Sequence, residues 1–73
     1  MKRVIIDLQS KNDYNVNHIK GAINIPYNEL LYNYRKYLNK NDLYILYCKK
    51  GRLSLKMKTM LSYLGYNVVD YKN

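Results

Sequence analysis

Strand-like and helix-like stretches alternate along this chain, and that alternation limits the folds open to it more than any other feature. Arg3-Val4-Ile5-Ile6-Asp7-Leu8 is a β-branched run that reads as a buried strand. Ala22 to Ile25 is a second, shorter strand, stopped by Pro26. Leu43-Tyr44-Ile45-Leu46-Tyr47 is an unbroken apolar run, read as a third buried strand. Asn67 to Tyr71 is a fourth. Ser10 or Asn12 is placed to cap a short helix that contains Tyr14. Asn28 is placed to cap a helix beginning at Glu29, with Leu30, Leu31, Tyr34 and Leu38 along one face. A last helix is marked by Leu53, Met57, Met60, Leu61 and Leu64, with Gly65 just past its end. Strands alternating with helices argue for an α/β fold: an open parallel sheet of about four strands flanked by helices.

Such sheets bind ligands outside the carboxyl ends of their strands. Asp7 ends the first strand, and Cys48 follows the third. Cys48 is the sole cysteine, and it opens the stretch Cys48-Lys49-Lys50-Gly51-Arg52-Leu53-Ser54 between strand and helix. A helix N-terminus offers free N–H groups and partial positive charge, and three cationic side chains share the turn. Both favour thiolate over thiol. Gly51 permits a positive φ, so that the loop curls its amides around an anion. Ser54 is placed to brace that loop. A buried structural cysteine at a strand end is the plainer reading of the same residue.

Composition narrows the classes further. The chain has 73 residues, enough for one small core. With 48% hydrophobic residues it has the composition of a folded domain. One cysteine allows no intrachain disulfide and no cysteine-based metal site, which fits a reducing cytoplasm. No apolar stretch is long enough to span a bilayer, and no signal peptide is evident. The formal net charge is +8, which attracts small anions, acidic partners or nucleic acid. The lysines are scattered, and the bias toward Lys, Asn, Ile and Tyr is what A/T-rich codons produce, so a dedicated nucleic-acid surface is not indicated. The ten tyrosines read as core and rim in a chain without Phe or Trp.

Taken in order, Ile6-Asp7-Leu8, Asp13-Tyr14, His18-Ile19-Lys20-Gly21-Ala22-Ile23-Asn24-Ile25-Pro26, Tyr47-Cys48-Lys49-Lys50-Gly51-Arg52-Leu53-Ser54 and Leu64-Gly65-Tyr66 resemble a rhodanese domain, most closely the short single-domain type. The resemblance implies a minimal rhodanese-like fold, a single truncated domain over residues 1–73. It implies a sulfurtransferase in which Cys48 carries sulfane sulfur as a persulfide. The donor would be thiosulfate or a similar small anion, and the acceptor cyanide, a thiol or a partner protein. Lys49, Lys50, Gly51, Arg52, Leu53 and Ser54 would form the substrate-binding loop, with amides from Lys49 to Leu53 around the persulfide. No metal or organic cofactor is implied. His18 falls in a structural block of the pattern, and its expected role is structural.

Two departures accompany the likeness. Gln9 stands where the family commonly has Arg, so the first loop is expected to be less firmly tied. The chain is also short at both ends relative to the pattern, and a homodimer is one way to complete such a fold. Two other functions compete. A related cysteine-loop phosphatase needs an Arg six places after its cysteine, where this chain has Ser54. A non-catalytic sulfur-carrier or binding module would dock on an acidic partner or tRNA through the basic surface.

Overall fold

The computed structural model describes residues 1–72. It contains β1 (Arg3–Asp7), α1 (Lys11–Val16), β2 (Ile23–Asn24), α2 (Tyr27–Tyr37), β3 (Leu43–Tyr47), α3 (Arg52–Tyr63) and β4 (Asn67–Asp70). The four strands form one sheet in the order β2-β1-β3-β4, and every pairing is parallel. This is the architecture expected from the alternation. After β1 the chain moves to one side to make β2. It then crosses back over β1 to make β3 and goes outward to β4. The winding therefore reverses between β1 and β3.

Those two strands pair in full register, from Arg3 opposite Leu43 to Asp7 opposite Tyr47. The ladder continues where Leu8 N–H donates to the Tyr47 carbonyl at 2.8 Å. On the other side of β3, Tyr71 N–H donates to Leu46 O at 2.8 Å, extending the β3–β4 pairing past Asp70. The second strand is shorter than expected. Only Ile23 and Asn24 pair with β1, although Ile25 N–H still reaches Asp7 O at 3.1 Å.

The strands are not buried on both faces as the apolar runs imply. Along β3, Tyr44 and Leu46 are buried while Leu43, Ile45 and Tyr47 are half-buried. One face of the sheet joins Ile6, Tyr44, Leu46 and Val68 to Leu30 and Leu38 at α2 and to Met57 and Leu61 of α3. This is the single main core, and Leu46, Ile6, Leu30 and Leu61 are fully enclosed in it. Helix α1 buries no residue.

Local chemistry sets the helix ends. Ser10 Oγ accepts from Asp13 N–H at 3.2 Å, so of the two candidate caps Ser10 is the one used. Helix α2 starts earlier than the cap at Asn28 implies. Pro26 is its N-cap, and its carbonyl takes the first helical bond from Leu30 N–H at 3.0 Å. The proline ring holds φ at −53°, and with ψ at 149° it sets the chain's entry, so no side-chain cap is needed. Asn28 lies inside the helix. Further along the helix Asn33 leaves helical geometry, with φ −133°, and its side-chain amide donates to Glu29 O at 3.1 Å.

Helix α3 ends as Gly65 predicts. Tyr66 N–H donates to Leu61 O at 3.0 Å and Gly65 N–H to Ser62 O at 3.1 Å, with Gly65 at φ +95°. This paired closure needs a residue in the left-handed region, where glycine carries no Cβ penalty. The buried stripe of α3 differs from the sequence reading. Ser54, Met57 and Leu61 face inward, while Leu53 is exposed. The first turn is rotated toward Cys48 by bonds that Ser54 makes there.

Truncating Leu46 to Ala removes a side chain enclosed by both helices and the sheet. We expect a loss of about 2–5 kcal/mol in urea unfolding. Tyr32→Ala, at an exposed position on α2, is expected to stay within about 0.5 kcal/mol. Comparable losses for the two would contradict this placement of the core.

Candidate active site

The site grows out of the carboxyl end of β3. Cys48 follows Tyr47 directly, and its loop turns within four residues. Gly51 N–H donates to the Cys48 carbonyl at 3.2 Å, closing the turn. Gly51 itself sits at φ +77°, ψ −7°, and it is the N-cap of α3. A Cβ there would meet nothing within 4 Å. The glycine is thus required by backbone conformation, not by space, since the left-handed region costs an L-residue roughly 1–2 kcal/mol.

Ser54 locks the loop from below. Its N–H donates to Cys48 Sγ at 3.2 Å, and its hydroxyl donates to Gly51 O at 3.2 Å. Among the described residues it is one of two buried polar side chains, with Asp7. The first turn of α3 therefore aims a backbone donor at the sulfur. That donor lies one residue beyond the Lys49–Leu53 span named from sequence, and the Gly51 amide is engaged by the carbonyl instead.

Cys48 is 8% exposed. One side of it packs in the core cluster. The other lines a cavity of about 380 Å³. Lys49, Lys50, Arg52 and Leu53 form one wall of this cavity. Leu8, Gln9, Ser10 and Asp13, which follow β1, form the opposite wall. The cavity thus occupies the crevice where the winding reverses, the place such sheets reserve for ligands. The three cations are exposed and converge on its mouth. Gly51 and Ser54 do not line it. With Cys48 they border a smaller space of about 260 Å³ toward Asp70 and Tyr71.

The β1 wall was the part least visible in the sequence. Asp7 is fully buried, and among the described residues its carboxylate accepts from Gln9 alone. Gln9 N–H donates to Asp7 Oδ1 at 2.8 Å, and Gln9 Nε2 donates to Oδ2 at 2.9 Å. The same Nε2 reaches Asn17 O at 3.3 Å. Asn24 Nδ2 donates to the carbonyls of Asp7 at 3.0 Å and Gln9 at 2.9 Å. The expectation of a loosely tied first loop is therefore corrected. A neutral amide with two donors bridges a carboxylate to a backbone carbonyl without needing a charge. The signal was present in the sequence as a carboxylate at a strand end, followed two residues later by a side-chain amide.

His18 stands apart from the cavity. Its ring stacks on Tyr14 at 3.8 Å between centroids, and its Nδ1 lies 2.8 Å from Tyr14 O. Tyr14 in turn donates its hydroxyl to Ala22 O. The histidine braces α1 against the turn before β2, the structural role expected of it.

The model of the rhodanese-like domain matches residues 1–73. The chain belongs to this family. It is 38% identical over 66 residues to the thiosulfate sulfurtransferase PspE of Escherichia coli strain K12, covering 89% of this chain and 64% of that relative. It therefore spans a little less than two thirds of the relative's length. Among solved structures, a Staphylococcus saprophyticus protein superposes with a TM-score of 0.85 at 30% identity, covering 96% of this chain and 69% of the other. A rhodanese-related protein from Thermoplasma volcanium gives 0.83 at 31% identity, with 93% and 67% covered. The family's fold is thus present in this short chain: sheet, helices and the cysteine loop between β3 and α3.

Replacing Gln9 with Leu leaves the buried Asp7 carboxylate without its side-chain donor. Such an orphaned group costs about 1–3 kcal/mol, and we expect that loss in equilibrium unfolding of Gln9→Leu. An unchanged midpoint would show that the bond contributes little.

Proposed function

We propose that this chain is a sulfurtransferase, moving sulfane sulfur from thiosulfate or a similar anionic donor to a thiophilic acceptor through a persulfide on Cys48. One observation carries the reading. A lone cysteine sulfur, held by the Ser54 amide at 3.2 Å, lines a cavity whose mouth is ringed by Lys49, Lys50 and Arg52. The thiosulfate sulfurtransferase to which the chain is similar supports the choice of donor.

The chemistry follows from charge and position. Thiosulfate is a dianion, and the loop cations draw its sulfonate end to the cavity mouth. The Cys48 thiolate then attacks the outer sulfur. A new S–S bond forms at Cys48, the S–S bond of thiosulfate breaks, and sulfite leaves with the electron pair. The positive end of α3 and the loop amides favour the anionic terminal sulfur of the persulfide. An acceptor nucleophile, such as cyanide or a thiolate, next attacks that terminal sulfur. The Cys48–sulfur bond breaks, the acceptor departs with the sulfur, and the thiolate returns. The attack requires Cys48 as a free thiolate, and a cytoplasmic location is part of this proposal.

Intact-protein mass spectrometry tests this most directly. After exposure to thiosulfate, the wild type is expected to gain the mass of one sulfur atom, and Cys48→Ser is expected to gain nothing. No gain on the wild type would overturn the assignment. In steady-state turnover to cyanide, Lys49→Ala combined with Lys50→Ala is expected to raise the thiosulfate KM. An unchanged KM would mean that the loop amides and Arg52 bind the donor without them.

A further inference from the structure

A second hollow adjoins the cysteine cavity. It runs between α2 and α3, has a volume of about 620 Å³, and is lined by apolar Tyr27, Leu31, Leu55 and Met60 with Arg52 and Lys56 at its rim. Arg52 lines both spaces, so the groove and the cysteine cavity share this side chain as a wall. The lining follows from helix geometry. Positions 52, 55, 56 and 59 share one face of α3, and positions 27 and 31 share one face of α2. Leu55 on this face is 55% exposed, although the chain buries most of its other leucines wholly or in part.

On the loop and α3 side of the groove the charge has one sign. Lys49, Lys50, Arg52, Lys56 and Lys58 fall within the loop and α3, and no Asp or Glu occurs from Cys48 through Val69. The one carboxylate of α2, Glu29, accepts from the Tyr37 hydroxyl at 2.7 Å on its own helix. An apolar slot with a cationic rim complements a segment that carries an apolar anchor among acidic residues. Aliphatic lining suits a Leu-like or Phe-like side chain and offers nothing for nucleic-acid bases to stack on beyond Tyr27.

We propose that the α2–α3 groove docks an acidic, apolar-anchored segment of the protein that accepts sulfur from Cys48. The docking part stands on the groove alone, and the transfer part rests on the sulfurtransferase reading. A segment seated there and passing over Arg52 brings its thiol to the cysteine cavity. The groove would then select protein acceptors, while cyanide needs only the cavity.

The test uses synthetic peptides of about a dozen residues, each ending in cysteine. One is rich in Glu with Leu anchors, a second has Lys in place of Glu, and a third has Ser in place of Leu. Fluorescence anisotropy with dye-labelled versions reads binding, and an oligothymidylate of similar length serves as competitor. Rates of sulfur uptake from thiosulfate-loaded protein are compared with the rate to cyanide. The Glu/Leu peptide is expected to bind about ten-fold or more tighter than either alternative, a difference of about 1.4 kcal/mol, and to take sulfur correspondingly faster. Leu55→Ser is expected to abolish that advantage and leave turnover to cyanide unchanged. Lys56→Glu is expected to narrow the preference for the Glu/Leu peptide over the Lys peptide.

Equal binding of the three peptides, a Leu55→Ser protein that still prefers the Glu/Leu peptide, or an oligothymidylate held more tightly than any peptide would overturn the docking proposal. If Cys48 takes up no sulfur while the groove still selects the acidic peptide, the docking surface holds and the sulfurtransferase reading fails. If sulfur loads and leaves to all peptides at one rate, the converse follows.

Discussion

The pairing of β1 with β3 is the constraint on which the rest depends. Five residues of each strand lie level, and the Leu8–Tyr47 bond carries the ladder one step further. That register brings two loops from distant parts of the sequence to the same height. One starts at Cys48 and the other at Gln9. Because the winding reverses between these strands, no helix fills the gap above them, and a cavity results. Neither loop makes the site alone: the first supplies sulfur and cations, the second the opposing wall.

Within the cysteine loop, polarity is arranged by backbone more than by side chains. Gly51 accepts a left-handed conformation, and this turns the chain abruptly into α3. Ser54 then does two things with one residue, presenting an amide to Sγ and a hydroxyl to Gly51 O. The helix axis thereby begins next to the sulfur, with its unpaired amides nearby. The full charges of Lys49, Lys50 and Arg52 lie further out, in solvent, where salt screens them. Near the sulfur, fixed dipoles act at short range; at the mouth, mobile cations act at longer range.

Much of this was legible in the chain because short-range chemistry dictates it. The alternation of strands and helices, the Ser10 cap, the Gly65 closure and the cysteine turn each rest on residues close in sequence. What was not legible depends on partners far apart. Leu53 has the periodicity of a core residue, yet Ser54 is the one turned inward, because its bonds to the loop outweigh the apolar pattern of a single turn. Asn28 looks like a cap, but Pro26 already sets the backbone entry, and the helix starts ahead of it. Gln9 seemed a weak substitute for a cation until Asp7, Asn17 and Asn24 were brought around it. The β3 run is apolar throughout, but which of its residues are enclosed depends on which face α2 and α3 cover.

The presence of one thiol in the whole chain has a further consequence. On the sulfurtransferase reading proposed above, a sulfur atom carried on Cys48 would meet no second sulfhydryl among these 73 residues able to displace it and seal an internal disulfide. Unloading would then be bimolecular, and its speed would depend on how often and how well a second molecule arrives. A carrier built this way would hold its cargo in isolation and release it only on encounter, so the surface around the mouth, as much as the chemistry beneath it, would govern where the cargo goes.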